Sequence, residues 1–541
     1  MMDFEEIRRK FEIHPFVLET RMGYCLENDW IGEKEAIVIK LRPEYELSEY
    51  EMNIIKKNNK DIDIDIEFEY ATPLEILNLE EESAFTTSIL EGFNKNGLNV
   101  KGQLRGITYQ PPKDVKLEKT NDVESVTCSL SPDNGWDVLK EFIDNVKGEI
   151  TIGMYDFTAP HILEVLREKA NDISKLNLVI QEKAHVGSGT KKDDIPESEL
   201  IKSLEKIFGK NFNFTYAHVK GYDRIFGGSY HIKVVTNEDY FWLSSGNWQS
   251  SNLPDASPTN NAHSKYYLSN YNREWHVVVK SKKLTETYRK FLIHDLDESR
   301  KKISADESNY VKYVFPHTTN DIFVPVEFFK TTEEAARSAS YYKPKTFKFD
   351  NSKPLDIMPL LTPDNFYENT LELLKSAKKS IYFQNQALNI IKKNTSEFLN
   401  LLNVLVEKQE QGLDVKIIVR GEFFSRENLE RLKKYGFDMN KVKLQDRCHT
   451  KGIIIDSEVV LVGSHNFSNK GTTINRDASL IFYSSDISKY YEDVFHHDWK
   501  FMAKRKLRTN KYNNTPRLAL PNENTPQGMV RIPWDDFYGE L

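Results

Sequence analysis

Two short strings, His231-Ile232-Lys233 and His449-Thr450-Lys451, stand 218 positions apart. An imidazole can attack phosphorus or carry a proton, and an ammonium two residues further along a strand shares its face, because strand side chains alternate with period two. Each string leads into more polar residues. The second copy continues through Asp456, Gly463-Ser464-His465-Asn466 and Asn475-Arg476-Asp477; the first continues through Glu238, Ser244-Ser245-Gly246-Asn247 and Asn272-Arg273-Glu274. Lys233 and Lys451 supply charge where it grows in a transition state, and Ser245, Asn247, Ser464 and Asn466 supply hydrogen-bonding groups for phosphoryl oxygens.

One such set binds a phosphate, whereas two brought face to face can catalyse displacement at phosphorus. One imidazole forms a covalent intermediate while the other protonates the leaving oxygen and later deprotonates the incoming water or alcohol. Each imidazole needs an acceptor on its other nitrogen, and Glu274 and Asp477 are the candidates.

The elements that hold these residues are also duplicated, as expected of a repeat architecture. Ser131-Pro132-Asp133-Asn134 answers Thr362-Pro363-Asp364-Asn365 at an offset of 231, the histidines follow at 218 and the Asn-Arg-acid triplets at 203. The first copy is therefore longer by 13 residues before its histidine and by 15 after it. Tyr288, His294 and Asp295 match Tyr491, His497 and Asp498, again at 203, on what read as equivalent closing helices.

Helix and strand patterns alternate through both copies, the signature of an α/β sandwich. In the first, an amphipathic helix around Val138–Val146 precedes a strand from Glu149 to Tyr155. Further helices are predicted over Ile162–Ala170 and Leu200–Phe208, and strands over Leu176–Ile180 and Tyr230–Thr236. The second repeats the order with helices at Phe366–Ala377 and Thr395–Gln409 and strands at Ser380–Gln384, Val415–Val419 and Thr450–Ile455. Residues 1–120 lie outside the repeat and read as an accessory domain, with strands at Glu35–Leu41 and Asp61–Tyr70. The acidic face of the latter, with Asp61, Asp63 and Asp65, reads as a solvated sheet surface rather than a metal site. Residues 306–349 read as a linker and 506–541 as a tail that docks through Trp534, Phe537 and Tyr538.

These strings resemble those of the phospholipase D superfamily, whose His-x-Lys-x4-Asp and Gly-Ser-x-Asn signatures appear here twice, within 124–305 and 350–505. The resemblance implies two similar phospholipase D-type α/β sandwich lobes related by a pseudo-twofold axis, joined to a small N-terminal accessory α/β domain. It further implies a phosphohistidine intermediate without a metal or other cofactor. His231 would be the nucleophile and His449 the acid/base, or the reverse, with Lys233, Lys451, Asn247 and Asn466 holding the phosphate. Glu238 replaces the signature aspartate and Ser244 the first glycine. Neither change removes a phosphate ligand, and the resemblance implies that the acids at 238 and 456 are structural. Retained acids also argue against the tyrosyl-DNA phosphodiesterase branch.

Composition leaves the substrate open. Of 541 residues, 29% are charged, 39% hydrophobic and 12% aromatic, and the net charge is −8, which fits a globular protein of about three domains and disfavours a dedicated polyanion binder. No apolar run approaches the roughly 18 residues that would mark a transmembrane helix, and Met1–Lys10 lacks the pattern of a signal peptide, so the expectation is a soluble, cytoplasmic protein. Three scattered cysteines, Cys25, Cys128 and Cys448, make neither a disulfide framework nor a zinc site. The expected assembly is a monomer with an internal pseudo-dimer.

A phospholipid head group is the favoured substrate, since Trp242 and Trp248 should lie near the site. A metal-independent nuclease acting on DNA or RNA is the alternative, and an inactive phosphate-binding scaffold a third reading. His276, His294, His496 and His497 read as packing residues. The polar stretch Trp248–Tyr271 reads as a surface excursion or a selecting loop. Lys500, Lys504, Arg505, Lys506 and Arg508 read as a solvated helix end, or as a peripheral contact with an anionic surface.

Overall fold

The computed structural model describes residues 3–42, 45, 47–59, 62–71, 108–181, 194–219, 224–255, 271–307, 321–325, 342–391, 394–507, 517–518 and 525–533. Expectations for Asp61, Arg508, the tail aromatics and most of the 248–271 excursion lie outside them.

The N-terminal residues form α1 (Phe4–Glu12), β1 (Val17–Glu27), β2 (Trp30–Leu41), α2 (Glu49–Asn58) and β3 (Asp65–Tyr70), with the strands in the order β1-β2-β3. Ile7, Phe11, Ile37, Ile39 and Ile66 pack in a core of their own.

The first repeat comprises β4 (Ser125–Ser131), α3 (Gly135–Asp144), β5 (Gly148–Met154), α4 (Pro160–Glu168), β6 (Ile173–Gln181), α5 (Glu197–Phe208), β7 (Phe212–Ala217), β8 (Lys233–Asn237), β9 (Tyr240–Ser244), β10 (Glu274–Lys280) and the long α6 (Lys282–Glu307). Then come β11 (Asp321–Pro325) and β12 (Lys345–Lys348). The second repeat comprises β13 (Ile357–Leu361), α7 (Phe366–Ser376), β14 (Ser380–Asn385), α8 (Ser396–Glu410), β15 (Asp414–Arg420), α9 (Arg426–Tyr435), β16 (Val442–Gln445), β17 (Lys451–Ile455), β18 (Val459–Gly463), β19 (Ala478–Tyr483) and α10 (Ser485–His497). The short strands β20 (Arg517–Leu518) and β21 (Met529–Pro533) follow.

The two large sheets have the same order. One runs β12-β4-β10-β9-β8-β5-β6-β7 and the other β13-β19-β18-β17-β14-β15-β16, so each strand from β4 to β10 has a counterpart and β12 is an addition at one edge. In each, three parallel strands adjoin an antiparallel set.

Each lobe buries one sheet face under amphipathic helices. Val138, Leu139, Phe142 and Ile143 of α3 show the spacing that turns one stripe inward, and Phe366, Thr370, Leu373 and Leu374 do the same for α7. A third core is shared. It joins Val277, Tyr288 and Leu292 of the first lobe to Val460, Leu480, Tyr491 and Val494 of the second, so the seam itself is a hydrophobic layer. The Tyr288 hydroxyl donates to the carbonyls of Leu360 and Ser479, and that of Tyr491 to the carbonyl of His276, so each closing helix is tied to the opposite lobe.

Three segments depart from the sequence expectations. The region expected as a linker supplies β12 to the first sheet and β11 to a small sheet with β20 and β21, so linker and tail pair with each other. Residues 108–120, expected in the accessory domain, lie against the repeats: the Tyr109 hydroxyl donates to Asp364 at 2.9 Å and Thr120 bridges Ile357. Finally, β8 and β17 begin at the lysines, three residues and one residue later than the expected starts at Tyr230 and Thr450. The backbone just upstream is drawn to the other lobe instead, with Arg476 N donating to Ser229 O and Arg273 N to Arg447 O, each at 2.8 Å.

Candidate active site at the seam

Those backbone bonds determine which carboxylate meets which imidazole. Because Arg273 pairs with the segment approaching His449, the next residue, Glu274, lands on that histidine: His449 Nδ1 lies 2.7 Å from Glu274 Oε1. The reciprocal pairing places His231 Nδ1 2.9 Å from Asp477 Oδ1. Each acid therefore orients the histidine of the opposite lobe, and neither half-site is complete alone. All four residues are buried.

The serines expected to hold phosphate hold these acids instead. Ser245 Oγ donates to Glu274 Oε2 at 2.6 Å and accepts from Trp275 N, while Ser464 Oγ donates to Asp477 Oδ1 at 2.5 Å and accepts from Ala478 N. A hydroxyl has one proton to give, and here it is spent on the carboxylate. Asn247 and Asn466 differ. Both are buried, and Asn247 Oδ1 and both amide atoms of Asn466 have no hydrogen-bond partner among the described residues. Buried polar groups are ordinarily paired, so these atoms mark a place for a polar ligand.

Lys451 Nζ donates to Gln386 Oε1 at 2.9 Å and to Ser245 O across the seam at 3.2 Å, and lies 3.1 Å and 3.2 Å from the two ring nitrogens of His449. Lys233 Nζ donates to His231 O at 2.6 Å and lies over the Tyr155 ring. Burial and these ammonium groups hold both His231 and His449 well below the usual histidine range, so both imidazoles are neutral near pH 7. Burial pushes the Glu274 carboxyl up to about 8 and the Lys451 ammonium down to about 8.

The triplet arginines clamp the seam. Arg273 bonds Asp133 of its own lobe at 2.6 Å and Asp498 of the other at 3.1 Å; Arg476 bonds Asp364 and, across the seam, Asp295, each at 2.8 Å. This accounts for the repeated Pro-Asp turns and for the matched aspartates at 295 and 498, whose partners sequence spacing could not name. Both turns contain a cis proline, Pro132 and Pro363.

Behind each carboxylate sits a second buried imidazole, which sequence reasoning missed as a pair. His276 on β10 bonds Ser131 Oγ at 2.8 Å and Ser244 Oγ at 2.7 Å. On β19 the equivalent residue is Ser479, and the imidazole comes from the loop: His465 bonds Ser479 Oγ at 2.6 Å and Thr362 Oγ1 at 3.3 Å. A histidine exchanged between aligned positions was the available signal.

The remaining expected residues lie elsewhere. Asp456 accepts from the backbone N–H groups of Lys378, Lys379 and Ser380, a turn-capping role at the start of β14. Glu238 is exposed in the equivalent turn, where Asn237 bonds the carbonyls of Lys147 and Glu149 instead. Trp242 and Trp248, expected near the site, are fully buried in the outer core of the first lobe and give it no exposed aromatic surface. Lys506 pairs with Asp29 and Arg505 with Asn440. No helix among the described residues is long and apolar enough to cross a membrane.

Known proteins resemble the chain at low identity. Phosphatidylserine synthase from Haemophilus influenzae Rd KW20 is 13% identical, with 70% of this chain and 87% of that one covered at a TM-score of 0.46. The phospholipase D family member Nuc from Salmonella typhimurium is 18% identical over 28% of this chain and 97% of its own, at a TM-score of 0.24. No curated protein sequence matches. Residues 370–499, within the second lobe, match the family model described as cardiolipin synthase, PLD-like domain. That match makes the second lobe a PLD-like domain, and the first lobe repeats its strings.

Proposed function

We propose that the protein cleaves a phosphodiester through a phosphohistidine intermediate, with a phospholipid head group as its substrate class. The observation that carries the chemistry is the crossed pairing of His231 with Asp477 and of His449 with Glu274, which gives one chain two oppositely supported imidazoles.

His231, donating from Nδ1 to Asp477, keeps a lone pair on Nε2 with which to attack phosphorus. The N–P bond forms as the bond to the leaving oxygen breaks, and that oxygen takes its electron pair and a proton from His449 Nε2. Glu274, protonated below about pH 8, returns a proton to His449 Nδ1, so the acid need not begin as an imidazolium. In the second half, water or an alcohol attacks phosphorus and gives its proton to His449. The N–P bond breaks with its pair returning to His231, and the Nδ1 proton goes back to Glu274. Lys233, Lys451, Asn247 and Asn466 hold the phosphoryl oxygens, and their charge and donors are preorganised by burial.

Support for a lipid substrate is the description of the family model matched by residues 370–499. The test is incubation of the purified protein, in chelator, with mixed-phospholipid vesicles and separately with single- and double-stranded DNA and RNA. Head-group release is expected. Cleavage of nucleic acid alone would overturn the lipid assignment, and full activity in either His231→Ala or His449→Ala would overturn the mechanism.

A further inference from the structure

Among the differences between the two half-sites, one outside the repeated strings lies directly beside the lysines. Met154 pairs with Lys233 and Asn385 pairs with Lys451 in equivalent ladders, so the residues that follow, Tyr155 and Gln386, occupy equivalent places beside the two lysines. Both are buried. Their chemistry is opposed. Tyr155 lays an aromatic ring 4.9 Å from the His231 ring at 64°, and Lys233 Nζ lies 5.1 Å above the Tyr155 centroid. Gln386 offers an amide oxygen that accepts from Lys451 Nζ at 2.9 Å, with that ammonium 3.1 Å and 3.2 Å from the nitrogens of His449.

We propose that Tyr155 and Gln386 are positioning residues that make the two histidines unequal, directing the phosphoryl group to His231 and the proton to His449. The aromatic ring holds Lys233 by its π face and gives His231 an apolar neighbour, which leaves the imidazole lone pair poorly solvated and nucleophilic. The amide draws Lys451 onto His449, where an ammonium engages the ring nitrogens, weakens the imidazole as a nucleophile and eases release of its proton. The inference rests on the phosphohistidine reading above and adds what decides between its two histidines.

The experiment uses the full chain and bis(4-nitrophenyl) phosphate, quenched in base during turnover, with the site of the N–P adduct mapped by peptide mass spectrometry. In the unaltered protein the adduct is expected on His231. In Tyr155→Gln/Gln386→Tyr the ratio of His231 to His449 adduct is expected to fall at least tenfold. Gln386→Met, close in volume and lacking the acceptor, is expected to shift the same ratio in the same direction should the double variant fail to fold, while Tyr155→Phe, which keeps the ring, should leave it unchanged. An unshifted ratio in folded Gln386→Met would overturn the inference while leaving the phosphohistidine mechanism standing, as would an initial adduct on His449. Absence of an adduct on either histidine would overturn both.

Discussion

The lobe carrying His231 and the lobe carrying His449 share seven strands in one order, yet meet the seam with different side chains. The first presents the large Trp275 against Gly452 of the second, where a Cβ would come within 2.2 Å of the indole. At the positions equivalent to these two, the second lobe has Ala478 and the first has Val234. Bulk lost on one side is matched by bulk gained on the other. What is preserved between the lobes is the set of contacts that cross the seam: two acid–imidazole pairs, two arginine clamps and two tyrosine hydroxyls. What has diverged is the filling between them and the residues beside the lysines.

Breaking the acid–imidazole pairs should have the largest effect. His449→Ala removes general acid–base help and should lower kcat about 10²–10⁴-fold, while His231→Ala should abolish adduct formation, with far-UV circular dichroism unchanged in both. Removing either clamp comes next. Arg273→Met and Arg476→Met each leave buried aspartates unpaired and should cost about 3–5 kcal/mol in urea unfolding, and the crossed arrangement predicts similar losses for the two. A large loss from only one would show that a single clamp holds the seam.

Gly452→Val places the first lobe's residue in the second and should cost about 1–3 kcal/mol by overpacking, relieved when Trp275→Ala is added. The smallest effect is a shift in pH dependence. Glu274 and Lys451 both lose their protons near 8, so activity should fall as pH rises through that value; neutral His231 should carry activity below the usual histidine range. In Glu274→Gln the basic limb attributable to the carboxyl should disappear along with most of the rate.

Much of this was legible in sequence because the candidate site and its clamps are built from polar residue types that the two strings repeat. The histidines, lysines, asparagines and triplet acids stood out by type and offset, and alternating apolar patterns placed the main elements to within a few residues. Pairing across the seam was not legible. Spacing along a chain says that Glu274 and Asp477 are acceptors but not which imidazole each faces, since that depends on backbone bonds between segments about 170 and 250 residues apart. Ser245 and Ser464 look like phosphate donors until the carboxylates beside them are seen to take their protons. Trp242 and Trp248 are close to the site residues in sequence yet pack in the outer core of the first lobe. Tyr155 and Gln386 escaped because a repeat is found by sameness, and they matter by differing.

In the mechanism proposed here the two strings are halves of one site. A structure of the protein with vanadate bound tests it most directly. One vanadate per chain is expected, with His231 Nε2 at one apex, His449 at the oxygen of the other apex, and Asn247 and Asn466 both in contact. Two vanadates, one held by each lobe, or a single ion held by one lobe alone, would contradict it.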